Sequence, residues 1–219
     1  MYQILYNDRT DIRVNQDIMI IDQVDHIAYH KTVWIEAGAT LRYCLIGDAS
    51  KIVLDIKHLW VGAKSSVSSV LMSCSGTSDH YKIISHLESP QTKSDVIMTT
   101  LLYAGSQTVV DGMIVVSPWA TKANWYLHEH NIVLWSPVII HTLPQLDIRH
   151  HDISAWHGAT IDTINDHSLF YMMSKGIDRK HATQLILSGV VESALSWYMV
   201  DKLLTSFKHK LLTSIFTKL

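Results

Sequence analysis

Apolar residues in the first three-quarters of the chain come in short runs, not helical stripes. The runs at 18–21, 32–35, 51–56, 67–72, 98–103, 113–116, 132–135 and 138–140 are rich in β-branched and aromatic residues. Small or polar turn residues separate them, which is the pattern of strands. The gaps are too short for crossover helices, so an α/β parallel sheet is not expected. An antiparallel sandwich and a β-solenoid remain open. Some words recur: WIEAGATL at 34–41, WVGAKSSV at 60–67, YAGSQTVV at 103–110, PWATKANW at 118–125 and WHGATIDT at 156–163. A bulky residue, a small-residue corner and a β run in that order suggest stacked coils, with a ragged period.

The pattern changes near residue 166. Asn165 or Asp166 can cap a short helix running to Lys175, and Gly176 sits where a helix-ending glycine belongs. Asp178 can cap a second helix, in which Ala182, Leu185, Ile186, Gly189, Val190, Ala194 and Trp197 follow a 3.6-residue period. Val200, Leu203, Leu204, Phe207, Leu211 and Ile215 form a final stripe. Trp197, Tyr198 and Met199 are consecutive, so they cannot all face one side of a helix. The expected division is therefore 1–165 for a β body and 166–219 for a helical subdomain.

Charge shifts at the same place. Residues 1–166 carry 11 basic and 17 acidic side chains, a net of −6, and residues 167–219 carry 7 and 3, a net of +4. The whole 219-residue chain has a net charge of −2, which gives no global signal for nucleic acid. With 47% hydrophobic and 17% charged residues, intrinsic disorder is excluded. No apolar stretch approaches the ~18 residues of a membrane span. Asp8, Asp11 and Asp17 are unlike a secretory leader, so a cytoplasmic location is expected.

Local chemistry is sparse. Cys44 and Cys74 are too few for a disulfide framework or the four thiolates of an ordinary iron–sulfur cluster. Among the fourteen histidines, His128 and His130 share a strand face, whereas the adjacent His150 and His151 point apart. No HExxH, Cys/His zinc spacing, GxSxG, P-loop or GxGxxG is present, so neither a conventional zinc site nor an independent enzyme is expected.

One segment is specific. Residues 156–192 hold His157-Gly158-Ala159-Thr160, then Leu169-Phe170-Tyr171, Ser174-Lys175-Gly176-Ile177, Ala182, Leu185-Ile186, Gly189 and Glu192. In this order the words closely resemble the β-to-helix junction of the SufB/SufD family of the SUF iron–sulfur cluster assembly machinery. Upstream, His80-Tyr81-Lys82 with His86 and Pro90, the strand at 111–115, Asn131 to Leu134, and Thr142 with Pro144-Gln145-Leu146-Asp147-Ile148 extend the resemblance over roughly 78–219. Ser154, Ala155 and Trp156 stand where SufB-like members carry a cysteine, so the chain looks SufD-like. Family members usually have a further N-terminal domain and more coils.

The resemblance implies a mainly β fold: a right-handed parallel β-helix followed by a small C-terminal α-helical subdomain. It implies a non-enzymatic scaffold that pairs with a SufB-like subunit, or with itself, and docks a SufC-like ABC-type ATPase. His157 would be a ligand for iron of a nascent cluster, held transiently and shared with the partner. Phe170, Tyr171, Arg179, Lys180 and Glu192 would contact the ATPase. A purely architectural solenoid without metal contact is the alternative, and a stand-alone solenoid enzyme a third reading. Gly158 is expected at a tight corner between the last coil and the helices.

Overall fold

The computed structural model describes residues 3–5, 10–25, 28–196 and 202–217, with side chains for 10–25, 28–196 and 208–217. Two sheets, each with all its pairings parallel, are built by strands that alternate between them. Sheet A runs β1 (Gln3–Leu5), β3 (Ile18–Val24), β5 (Thr40–Gly47), β7 (Lys64–Ser73), β9 (Lys93–Leu102), β11 (Ala123–Val133) and β14 (Ile153–Thr163). Sheet B runs β2 (Asp11–Val14), β4 (Tyr29–Ile35), β6 (Lys51–His58), β8 (Ser78–Leu87) and β10 (Gln107–Val116). It ends in β12 (Ile139–Thr142) and β13 (Gln145–Ile148), both paired to β10. This is a parallel β-helix, and the antiparallel sandwich is excluded.

The raggedness of the repeat has a simple origin. The register advances 23 residues from Ile18 to Leu41, 24 from Thr40 to Lys64, 29 from Lys64 to Lys93, 31 from Lys93 to Asn124 and 30 from Ala123 to Ile153. The first two of these steps are shorter than the three that follow. One row of corners stacks at constant geometry nonetheless. Gly38, Gly62, Gln91 and Lys122 all have positive φ, between 56° and 74°. Each donates its N–H to the next corner: Gly38 to Val61 O, Gly62 to Pro90 O, Gln91 to Thr121 O and Lys122 to Asp152 O. The recurring words at 34–41, 60–67 and 118–125 mark three of these corners.

Two apolar cores result from strand alternation. Inward residues such as Leu41, Leu54, Ile83, Val96, Ile114 and Leu127 fill the lumen between the sheets. Outward residues of sheet A, including Ile21, Val70, Leu101 and Ile132, form a second core under helices α2 (Arg179–Leu195) and α3 (Lys202–Thr217). Each exposed sheet face must be covered or made polar, and here the helices do the covering.

The caps of the first two helices are as expected. Asn165 accepts from the N–H groups of His167 and Ser168 to start α1 (Asp166–Ser174), Gly176 follows it at φ 86°, and Asp178 caps α2. The buried stripe of α2 is rotated from the expected one. Ala182, Thr183, Leu187, Val191, Ala194 and Leu195 face sheet A, whereas Leu185 and Gly189 are exposed. Sheet A selects the stripe, and apolar residues on the far side remain open. In α3, Leu211 and Ile215 are buried. Trp197, Tyr198, Met199 and Val200 lie outside the described residues, as do the side chains of Leu203, Leu204 and Phe207.

Candidate functional site at the open end of the β-helix

The coil that ends the β-helix has no successor among the described residues. β14 pairs only with β11, and β12 and β13 pair only with β10. Eleven residues of β14 thus offer an unpaired edge, with Trp156 and Ile161 exposed on it. Ile139, Leu143, Leu146 and Ile148 are exposed on the corresponding edge of sheet B. An edge that is both long and apolar is a template for pairing with another chain.

His157 sits mid-edge. Its register partner is Leu127, a lumen residue, and its ring lies 6.3 Å from that of Trp125, another lumen residue. The imidazole therefore stands on the lumen side of the last strand, exposed because no further coil covers it. Among the described residues no hydrogen bond or ion pair engages its ring. Both nitrogens are available to a partner.

Gly158 does not occupy a corner. It lies within β14, opposite His128. A Cβ there would come within 2.9 Å of the Trp156 indole, which folds over the glycine. Gly158 makes room for an aromatic ring, and the turn to the helices comes only after Thr163.

One coil back, Glu129 is fully buried in the lumen. Leu143 and Pro144 separate β12 from β13 opposite Asp111 and Gly112 of β10, and there Gly112 N–H donates to Glu129 Oε1 at 2.6 Å. The Thr142 hydroxyl donates to Oε2. Burial raises the Glu129 pKa, against the lowering effect of these donors. The carboxylate thus ties sheet A to sheet B at the open end. Asn131 beside it donates to Thr160 O of β14 at 3.2 Å. Sequence reading missed Glu129. Strict alternation from Trp125 through Leu127 to Asn131 would have placed it inside.

On the outer face of the same two strands, Trp156 stacks on Tyr126 at 4.5 Å between ring centroids and meets His128 edge-on. The rings of His128 and His130 are parallel, 6.0 Å apart. Burial and the neighbouring His130 lower the His128 pKa, against the Asp162 carboxylate. His150 and His151 are elsewhere, in the turn before β14. Among the described residues, no group of three His, Cys, Asp or Glu side chains is placed to hold a metal ion.

The other expected contact residues lie on the helices. Phe170 is 75% and Tyr171 64% exposed, with Met173 and Leu185 also exposed. Arg179 and Lys180 stand in the first turn of α2, and the Arg179 guanidinium is 4.0 Å from Asp166. Glu192 is half-exposed and paired with Lys208 of α3. His157 and these helical residues lie on separate elements and do not form one cluster. No described helix is long and apolar enough to cross a membrane.

Residues 43–190 match the family model described as SUF system FeS cluster assembly, SufBD core domain. An iron–sulfur cluster assembly SufBD family protein of Mycobacterium bovis is 26% identical over 161 residues, covering 72% of this chain and 19% of that protein. The iron–sulfur cluster assembly protein SufD of Escherichia coli is 32% identical over 88 residues, 40% of this chain and 21% of its own length. A SufBD family protein of Mycobacterium leprae is 22% identical over 205 residues, 87% of this chain and 52% of that protein. The chain thus spans between a fifth and a half of these relatives. The extent of the matched core, together with the parallel β-helix, shows that the chain belongs to the SufBD family of iron–sulfur cluster assembly proteins.

Proposed function

We propose that this chain is a SufD-like scaffold subunit, without enzymatic activity of its own, on which iron–sulfur clusters are assembled. The observation that carries the reading is His157: an uncommitted imidazole on the lumen side of an unpaired, apolar edge strand. A SufB-like subunit, or a second copy, adds to the edges of β14, β12 and β13. Its arrival buries His157 at the junction. Neutral imidazole is a suitable ligand for iron, and a thiolate from a SufB-like partner complements it. The cluster is cargo shared across the junction and is not stably held by this chain alone.

The helical part, 166–219, docks a SufC-like ATPase. Exposed Phe170 and Tyr171 with the basic start of α2 support this, since aromatic residues and Arg are enriched at interface centres. The chain carries no Walker A motif, so ATP hydrolysis belongs to the partner. The β-helix, 1–165, and the helices then have separate partners.

The test is a pull-down with identification of the captured subunits, followed by anaerobic iron loading of the complex. A SufB-like subunit and an ABC-type ATPase should be captured, and His157→Ala should lower bound iron with the complex intact. An intact complex whose iron is unchanged by His157→Ala would leave the architectural reading instead.

A further inference from the structure

Trp119 is 75% exposed, more than any other described tryptophan, and it lies neither at the open end nor on the helices. It stands in the corner row of Gly38, Gly62, Gln91 and Lys122. Along that row Trp60, Val61 and Pro118 are also exposed, and Pro90 is half-buried between them. The turn geometry does not call for tryptophan, because other residues fill the left-handed positions. The two ends of the row differ in shape and in charge. At the first corner Ala37 and Gly38 are small and exposed, and a Cβ added to Gly38 would meet nothing within 4 Å. At the fourth corner the Trp119 indole stands out. Glu36 accompanies the small end and Lys122 the bulky end. Among the described residues neither of these two side chains has an ion pair.

We propose that this row is a self-association surface, on which a second copy of the chain packs with its solenoid axis antiparallel. A two-fold axis in the interface, midway between the Gly62 and Gln91 corners, sets the Lys122 corner of each copy on the Gly38 corner of the other. Trp119 then fills the shelf at Ala37 and Gly38, Trp60 and Val61 meet Pro90, and Lys122 faces Glu36. A parallel arrangement would set Trp119 on Trp119 and Lys122 on Lys122, leaving the shelf empty and like charges together.

The size of the strip sets the strength of the pairing. Neighbouring coils are about 4.8 Å apart, so four corners span only roughly 14 Å. That is below a standard interface and makes a weak, reversible dimer. In a contact this small, a tryptophan seated in a complementary notch carries most of the binding. The surface uses residues of neither the β14 edge nor the helices, so the pairing stands apart from the scaffold reading.

Sedimentation velocity of the full chain between about 10 µM and about 1 mM tests this, and a monomer–dimer equilibrium is expected. Trp119→Ser should weaken it about tenfold or more. Glu36→Lys and Lys122→Glu should each weaken it about threefold or more. The double swap Glu36→Lys/Lys122→Glu should restore it, because every lysine again faces a glutamate. Trp156→Ser, on the β14 edge, should leave it unchanged. The charge variants keep the test valid if Trp119→Ser does not fold. A monomer throughout the range, a dimer indifferent to Trp119→Ser, a dimer lost in Trp156→Ser, or a double swap without recovery would overturn the proposal.

Discussion

His58 and His157 both occupy lumen-facing positions of their strands, and the solenoid treats them in opposite ways. His58, in the middle coils, is fully buried. Its Nδ1–H donates to His86 O of the next coil, and Nε2 accepts from the Ser65 hydroxyl, each at 2.9 Å. Ser65, Ser94 and Ser85 continue the file. His157, on β14, has no following coil and no such partners among the described residues. In a stack, every coil seals its predecessor, and a terminal coil leaves its polar lumen groups open on the outer side. The end of a solenoid is therefore where a ligating side chain can be displayed without any special loop.

The largest expected effect comes from removing each ring. His58→Ala leaves a cavity and two buried polar groups without partners, so it should cost roughly 3–5 kcal/mol in denaturant unfolding. His157→Ala should change stability by less than about 0.5 kcal/mol, as for other exposed positions. Equal losses would mean that the open end is sealed in solution by something else, such as self-pairing.

Acid should separate mid-lumen from surface next. Burial lowers the His58 pKa from its ordinary 6.5 to about 4. Between those values the unfolded chain takes up a proton that folded His58 refuses. The stabilisation is complete above about pH 6.5 and is lost as pH falls through 4, about 3 kcal/mol in all. Chemical denaturation at pH 7, 5.5 and 4.5 should show the decline, flattened in His58→Gln.

Glu129 offers a third contrast, since it closes the lumen just behind His157. Glu129→Ala leaves Gly112 N–H and the Thr142 hydroxyl without their acceptor and should cost about 1–3 kcal/mol. Glu129→Gln keeps an acceptor oxygen and should recover most of that at pH 7. The raised pKa gives the carboxylate the opposite sign to His58: its charging penalises the fold as pH rises from the ordinary glutamate range through the raised value. Thermal melts of the two variants across pH 4–8 would show whether the Glu129 bridge, not only packing, holds the terminal coil.

Much of this architecture was legible in the residues, and the failures are instructive. Gly38 and Gly62 marked their corners because glycine signals positive φ, but Gln91 at an equivalent corner gave no such signal. β8 escaped the apolar-run reading because all its outward side chains but Ile84 are polar. Lys82 pairs with Asp111 at 2.7 Å and His86 with Asp55 at 3.0 Å, and the strand reads as charge rather than as β structure. The Gly158 corner was inferred from glycine's freedom to turn, whereas its small size was what the strand used. His157 was visible only through the family words around it. Its isolation follows from coil order, which no local pattern encodes.

The smallest effect concerns whether the end of the stack is as firm as its middle. Gln91 and Lys122 hold the left-handed conformation at equivalent corners, with φ of 58° and 56°. For a residue with a Cβ that conformation costs about 1–2 kcal/mol, of which glycine's greater unfolded freedom cancels part. Gln91→Gly and Lys122→Gly should each stabilise by about 0.5–1 kcal/mol. Gln91 N–H donates to Thr121 O within the stack, whereas Lys122 N–H donates to Asp152 O in the terminal turn, both at 2.8 Å. If the terminal coil is fully ordered before any partner binds, the two gains are equal. If it frays, Lys122 is released from strain part of the time and its substitution gains less. Adding the proposed SufB-like partner should then bring the two gains together, which would place the ordering of the last coil in the assembly step rather than in folding.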